Sequence, residues 1–363
     1  MKQRELSLRV CAMILVIALF WRILGAPLTK QDFENLETPM RQARLLLPER
    51  TGRIFSLWLP GAASEAAQTM TQENPLEAGT ADEPMLLVYL TQEERLAQMS
   101  LEGYVCGVVA AEMPAQYHLE ALKAQCVAAR TRVLWQIQQG GCDLHPGADI
   151  CTDSAHCQGY ATLSQCREMW GDSYEAYRDR ILQVQRETQG QWIAYEDKPI
   201  TVLYHAISGG QTENAQTVFS ESLPYLVSVE SANEETVRGY QQETTFGFQE
   251  IADKLNSAFD EVELTAQDVQ RSLSIGGYTQ SGRVSHVQIG EHRIEATELR
   301  KALDLRSTWF SISADEQGVT FHQRGYGHGV GMSQAGANSM AASGADYQQI
   351  IQHYYTGVEI ACP

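Results

Sequence analysis

The chain has 363 residues, 44% of them hydrophobic and 20% charged, a balance that supplies a buried core and excludes a disordered chain. A formal net charge of −18, with no Lys/Arg run along any predicted helix face, excludes an electrostatic grip on nucleic acid. Eight cysteines are too few for a disulfide scaffold at this length, yet Cys142, Cys151, Cys157 and Cys166 crowd into one stretch and point to a local site.

The first nine residues carry Lys2, Arg4 and Arg9 against Glu5, and an unbroken apolar run, VCAMILVIALFW, follows over Val10–Trp21 and resumes as ILGAP after Arg22. A spanning helix needs about 20 residues, a length reached when Val10–Leu28 is counted with Arg22 snorkelling. A cleaved signal peptide is the alternative. Pro27 directly after Gly25 and Ala26 makes a poor cleavage site, and Trp21 with Arg22 suits an interfacial belt. The expectation is an uncleaved single-pass anchor over residues 1–28 in the cytoplasmic membrane. On either reading the rest of the chain is extracytoplasmic.

Residues 29–83 are polar and alanine-rich without a sustained apolar period, which predicts a linker or arm before a domain over residues 84–363. MLLVYL, Met85–Leu90, reads as a strand. Ser100 is placed to cap a helix running to Glu112, with Tyr104, Val105, Val108 and Val109 at helical spacing. A second helix is predicted from His118 to Gln139, with a buried stripe of Leu119, Leu122, Cys126, Ala129, Val133 and Ile137, stopped by Gly140 and Gly141. A helix over Tyr174–Thr188 follows. Strands are predicted at Gln191–Tyr195, Pro199–Ile207, Val284–Ile289 and Val319–His322. No repeat appears and strands do not alternate regularly with helices, so the fold class is α+β: a helical hairpin carrying an acid, with antiparallel or mixed sheet elements.

That acid is Glu112, at the end of an apolar helix and on the face of Val105 and Val108. Burial and the helix C-terminus both disfavour a carboxylate's charge, and a carboxylic acid that keeps its proton near neutral pH is what a glycosidic-bond general acid must be. The bland alternative is a glutamate pointing into water. Lys123 and Arg130, seven residues apart on the second helix, fall near one face, where they would approach Glu112 or a ligand's polar groups if the turn at Met113 and Pro114 folds that helix back; a solvated face is the alternative.

In CDLHPGADICTDSAHCQGY, His145, Cys151 and Cys157 follow one another at six-residue intervals, with Cys142 and His156 nearby as spares. One imidazole and two thiolates suit zinc with a fourth position left open; a disulfide among these cysteines is the alternative. Near the C-terminus, Gly325, Gly327, Gly329 and Gly331 stand two apart. In an extended chain they would share one face and leave bare backbone for a flat ligand such as a sugar ring, with Tyr326 and His328 projecting to the other side; a tight strand crossing is the alternative. Ser208, Gly209 and Gly210 end a strand and offer a second close-approach turn.

YVCGVVAAEMP (Tyr104–Pro114) with ALKAQCVAARTR (Ala121–Arg132) resembles the signature of the stage II sporulation protein D family, peptidoglycan lytic transglycosylases of endospore engulfment. HPGADICTDSAHCQGY, SGGQTENAQTVF, PYLVSVES and GYGHGVGMSQAGA look like that family's later blocks in the expected order, over roughly Met85–Gly357. The resemblance implies that Glu112 is catalytic acid and base, that Lys123 and Arg130 line the cleft, and that His145, Cys151 and Cys157 hold a zinc ion of structural role. The implied substrate is the peptide-stripped glycan strand of peptidoglycan, cut between N-acetylmuramic acid and N-acetylglucosamine to leave 1,6-anhydro ends. The implied partners are a cell-wall amidase and a membrane scaffold protein of the engulfment complex. AISGG stands where typical members show SNGG or STSGG, and Ala335 where many have tryptophan. Two other readings compete: a non-catalytic peptidoglycan-binding module like the amidase enhancers of the same fold, and a metallo-amidase using the zinc, which lacks an HExxH arrangement.

Overall fold

A computed structural model describes residues 84–362; the expected anchor and arm, residues 1–83, lie outside the described residues. By packing, these divide into two units, one of residues 84–107 with Val133–Leu163 and the other of Val108–Arg132 with residues 164–362.

In the first unit, alternation makes β1 (Met85–Leu90) a half-buried strand, with Leu86, Val88 and Leu90 facing inward at 3% exposure or less. β2 (Arg95–Ser100) returns antiparallel, from Leu90 opposite Arg95 to Met85 opposite Ser100. The helix α1 (Leu101–Glu112) then starts where Ser100 places its hydroxyl to accept the Gly103 amide at 3.0 Å, the cap the sequence predicted. At Gly107 a Cβ would stand 2.2 Å from the Tyr160 ring, so the glycine lets that ring, stacked on Tyr104, lie against the helix backbone.

The helix α2 (Leu119–Gln138) ends at Gly140 and Gly141, both with positive φ. Its centre differs from the expected single stripe: Ala124 to Thr131 are all at 1% exposure or less, because alanines and other small side chains admit neighbours on every side. Beyond α2, β3 (Ile150–Cys151) pairs parallel with β1, Val88 opposite Ile150.

The second unit continues through α3 (Leu163–Trp170) and α4 (Tyr174–Glu187) to β4 (Trp192–Tyr195). The expected strand Pro199–Ile207 is not one strand. Only β5 (Lys198–Pro199) and β6 (Tyr204–His205) form, because the chain leaves its pairing with β4 and crosses to a different partner, and Pro199 has no amide to continue a ladder. A short helix, α5 (Ala215–Phe219), follows.

A core of Ile251, Leu255, Val287, Leu299 and Phe321 then organises two antiparallel sheets and three helices. In order these elements are β7 (Gln241–Phe246), α6 (Phe248–Ala258), α7 (Ala266–Ser272), β8 (Ser274–Tyr278), β9 (Val284–Ile289), β10 (His292–Glu295), α8 (Ala296–Leu303), β11 (Phe310–Ala314) and β12 (Val319–Arg324). β12 lies between β11 and β7, and β9 between β10 and β8. The chain closes with β13 (Met332–Ser333), parallel to β6, then α9 (Gln334–Ala342), α10 (Tyr347–Tyr354) and β14 (Glu359–Ala361), which pairs with β4. The class is α+β with mixed sheets, as the pattern predicted. Among the described residues no helix is long and apolar enough to cross a membrane.

Candidate functional site

The last turn of α1 buries Val108 and Val109 completely and leaves Glu112 half-buried at its end. Gln334, the first residue of α9, donates its Nε2 to Glu112 Oε2 at 3.2 Å. The turn after the acid is pinned from two elements. Arg180 of α4 donates to the carbonyls of Ala115 and Tyr117 at 2.8 and 2.6 Å, and the His118 amide donates to Asn338 of α9 at 2.8 Å. Both the carboxylate and its flanking turn are therefore placed by α9.

The start of α9 is itself set by Glu234, fully buried. Its Oε1 accepts the hydroxyls of Ser231 and Ser333, the latter being the α9 N-cap; its Oε2 accepts the Ser208 hydroxyl at 2.8 Å and the Gly209 amide at 3.0 Å. A Cβ at Gly336 would meet Ser231, Tyr354 and Glu234 inside 3 Å, so only glycine lets the helix start this close to the carboxylate.

Sequence reasoning singled out neither Glu234 nor Gln334. The available signal was the SQAG run one residue after the last of the glycines, where an N-cap serine precedes a polar residue.

The expected binding residues fall into two groups. Ser208 and Gly209 are turned inward onto Glu234, and the Gly210 amide donates back to Ser208 Oγ at 3.0 Å. Lys123 is held at 2.6 Å by both Glu120 and Glu187, with the Tyr347 ring 5.8 Å away. Arg130 is 1% exposed and donates to the Gln191 carbonyl at 2.9 Å, which holds the entry to β4. Each of these residues has a partner within the protein.

Tyr326, by contrast, is 46% exposed and lies flat beneath the Arg306 guanidinium at 4.1 Å, an open aromatic platform. His328 stands next to it in sequence, packed edge-on against the exposed Phe219 and tilted against His205.

The glycines around Tyr326 do not offer bare backbone to a ligand. Gly325, Gly327, Gly329 and Gly331 all have φ between 71° and 112°, not extended values. A Cβ on them would strike, in turn, the Ile207 carbonyl, His205 Cβ, the Arg283 guanidinium and the Leu203 carbonyl at 2.0–2.9 Å. The space is filled by the protein's own segment Leu203–Ile207 and by Arg283, which is the tight-crossing alternative.

In the first unit, Cys142, Cys151, His156 and Cys157 bring their ligand atoms within 4.8 Å of one another, and no disulfide joins these cysteines. His145, expected in this group, stacks its ring on Tyr89 at 3.8 Å instead, and His156 takes the imidazole place. His156 Nδ1 lies 3.7, 3.4 and 3.2 Å from the sulfurs of Cys142, Cys151 and Cys157, and its Nε2 meets Asp143 at 2.8 Å. Hydrogen bonding from Cys157, acting against burial and aided by His156, pulls the Cys151 thiol down to about 5. The group can hold a metal ion.

Comparison with known proteins identifies the family. A family model described as stage II sporulation protein matches residues 89–195, and one described only as a domain of unknown function matches residues 165–331. Stage II sporulation protein D of Bacillus amyloliquefaciens is 33% identical over 298 residues, 82% of this chain and 85% of the relative. The chain belongs to the stage II sporulation protein D family. The Bacillus subtilis member is 32% identical over 83% of this chain and 87% of its own length. The amidase enhancer of Bacillus subtilis is 26% identical over 70% of this chain and 40% of its own length. Within this sporulation family member, residues 89–195 contain Glu112, its turn and the thiol group, and residues 165–331 contain the Glu234 hub and the Tyr326 platform.

Burial, reinforced by Arg300, holds His328 down to about 4 from its ordinary 6.5, and burial with His328 and Arg283 holds His205 well below the same value. Both rings are neutral at pH 7. As pH falls from 6.5 towards 4 the unfolded chain takes up protons that the folded chain refuses, so stability present above pH 6.5 is lost across that window. At about 1.4 kcal/mol for each unit of pKa, His328 alone accounts for about 3 kcal/mol of this loss. Replacing His328 with Asn is expected to flatten the acid limb by about 2 kcal/mol between pH 7.0 and pH 4.5, the part of that window the comparison covers, read by urea unfolding at the two pH values. An unchanged acid limb contradicts the assignment.

Proposed function

We propose that this chain is a lytic transglycosylase that cleaves the bond between N-acetylmuramic acid and N-acetylglucosamine in peptide-stripped glycan strands, leaving 1,6-anhydro ends, during the wall remodelling of endospore formation. The observation that carries the reading is Glu112: half-buried at a helix end, with Gln334 donating to one oxygen and the following turn pinned by Arg180 and Asn338. The other carboxylates discussed in that unit are committed elsewhere. Glu234 is saturated, Glu120 and Glu187 hold Lys123, and Glu213 accepts the hydroxyls of Thr279 and Ser281 at 2.6 Å and the Asn214 amide. One carboxylate suits a reaction in which no water is activated, unlike a two-acid hydrolase.

In the proposed step the Glu112 carboxylic acid protonates the glycosidic oxygen as the bond from that oxygen to the muramyl C1 breaks. The muramyl C6 oxygen then closes on C1, and its proton passes to the Glu112 carboxylate, restoring the acid. Gln334 fixes the orientation of the carboxyl group throughout. Strands of this kind are produced by an amidase, so the chain acts after one, held near it by a membrane scaffold and by an anchor over residues 1–28. On purified peptide-free strands we expect the wild type to generate 1,6-anhydro ends and Glu112→Gln to lose at least 100-fold in rate, followed by mass spectrometry of new ends. Undiminished cleavage by the variant would contradict the assignment.

The amidase enhancer likeness supports a second reading, a module that binds glycan without cutting it. It predicts equal strand binding and no new ends from both proteins.

For the thiol group we propose zinc. Tetrahedral Zn–S bonds of about 2.3 Å place ligand atoms roughly 3.8 Å apart, and the nitrogen-to-sulfur distances of 3.2–3.7 Å sit close to that edge length. Asp143 behind His156 is the usual outer partner of a metal-bound imidazole. Bound zinc would tie the loop after α2 together, and four protein ligands leave no position for a water, which favours a structural ion over a metallo-amidase. Titration with cobalt(II) is expected to give one equivalent of a thiolate charge-transfer band that His156→Ala weakens and His145→Ala leaves intact. The reverse result restores the ligand set expected from sequence spacing.

A further inference from the structure

In a chain whose net charge is −18, Arg306 lies over the Tyr326 ring and Arg300 reaches the Arg306 carbonyl, while Arg283 and Arg324 lie over the Trp309 ring and Arg283 is within electrostatic reach of Arg300. None of the four forms an ion pair with a carboxylate among the described residues. Arg283 is 1% exposed; its Nη2 donates to the Ser208 and Gln211 carbonyls, while its Nε and Nη1 have no partner. Arg324 lies over the Trp309 ring at 3.6 Å, and its Nε is likewise unpartnered.

Arg300, on α8, is the member of the set that remains open. Its Nε donates to the Arg306 carbonyl at 3.2 Å, and that same carbonyl accepts the Gly327 amide at 2.9 Å, so the guanidinium stands one carbonyl away from the segment Tyr326–His328. Its two terminal nitrogens have no hydrogen-bond partner among the described residues, and neither is among the buried unpartnered atoms. A half-buried guanidinium with a free fork is the side chain best shaped to take a carboxylate through two parallel hydrogen bonds.

The carboxylates that offset this charge do so at a distance. Glu213 and Glu234 act on Arg283 and Asp304 on Arg300, and both glutamates already have their oxygens engaged by hydroxyls and amides. Burial and the neighbouring arginines keep His205 and His328 neutral, so neither adds a cation. The result is local positive charge awaiting an anion, beside an aromatic face suited to a sugar ring. A neutral acetamido sugar would have no use for it.

We propose that Arg300, backed by Arg283 and Arg306, binds a sugar-acid carboxylate of the glycan: the free lactyl carboxylate that muramic acid carries once its peptide has been removed, with the ring resting on Tyr326. This rests on the glycan-strand reading above and gives it a means of discrimination. A peptide-bearing muramic acid has an amide in place of that charge. The same carboxylate chemistry is also offered by the C-terminus of an intact stem peptide, and the test separates the two sources.

The full chain in detergent, carrying Glu112→Gln to prevent turnover, is titrated calorimetrically with a muramyl tetrasaccharide in three forms: free lactyl acid, lactyl carboxamide, and peptide-bearing. The acid is expected to bind at least 10-fold more tightly than the carboxamide and the peptide-bearing form. Arg300→Gln is expected to erase that difference, weakening the acid at least 10-fold and the carboxamide less than 2-fold, with Arg300→Lys retaining part of the preference. Equal loss for both ligands, no loss for either, or no binding of any form overturns the proposal. Tight binding of the peptide-bearing form moves the site to the peptide carboxylate and overturns the lactyl assignment. The cleavage assay on otherwise unaltered protein separates the two claims: anhydro ends without acid preference sink this site alone, and acid preference without cleavage sinks the enzyme reading alone.

Discussion

A carboxylate with no access to water must be met by donors, and Glu234 is met by four of them. That requirement organises the second unit. It draws together the Ser208–Gly209 turn, Ser231 and the cap of α9, three stretches up to 125 residues apart in sequence (333 − 208). Because α9 starts where Ser333 reaches Glu234, Gln334 arrives at Glu112 and Asn338 at the turn beyond it. Removing one partner from such a hub costs more than the average hydrogen bond, since the remaining groups stay buried without their donors. The orientation of the candidate acid is thus secured by a residue that does not touch it.

The elements that sequence alone resolved are those in which local pattern and burial agree. Ser100 caps α1, MLLVYL forms β1 and VSHVQI forms β9, each where the sequence placed a cap or a strand. Disagreement arises where a long-range partner decides the local conformation. Pro199–Ile207 has the composition of a strand, but its segments pair with β4 on one side and β13 on the other, so the run breaks. The alternating glycines looked extended, yet each takes a positive φ to pass against Leu203–Ile207 and Arg283.

The metal candidate shows the same limit at the scale of one loop. Even spacing favoured His145, six residues before Cys151, over His156, which directly precedes Cys157. The turn that carries the Cys157 amide back to the Asp153 carbonyl brings His156 among the sulfurs, while His145 finds an aromatic neighbour in Tyr89. Lys123 and Arg130 were legible as cations on α2, but not their carboxylate and carbonyl partners, which come from α4 and from the loop entering β4. Glu112 was legible because an acid closing an apolar helix is conspicuous without any knowledge of its neighbours.

In the proposed reading the chemistry falls to one carboxylate and the recognition of charge to Arg300 and Arg306 beside Tyr326, in a chain whose overall field opposes anions. The central claim of that reading, that the glycosidic bond is broken without water as nucleophile, is tested most directly by digesting peptide-free strands in water enriched in oxygen-18 and weighing the new muramyl ends. Ends released by attack of the muramyl C6 oxygen carry no heavy oxygen at the moment of release, and that is the expected result. Incorporation of one heavy oxygen per cleavage would make the enzyme a hydrolase and contradict it.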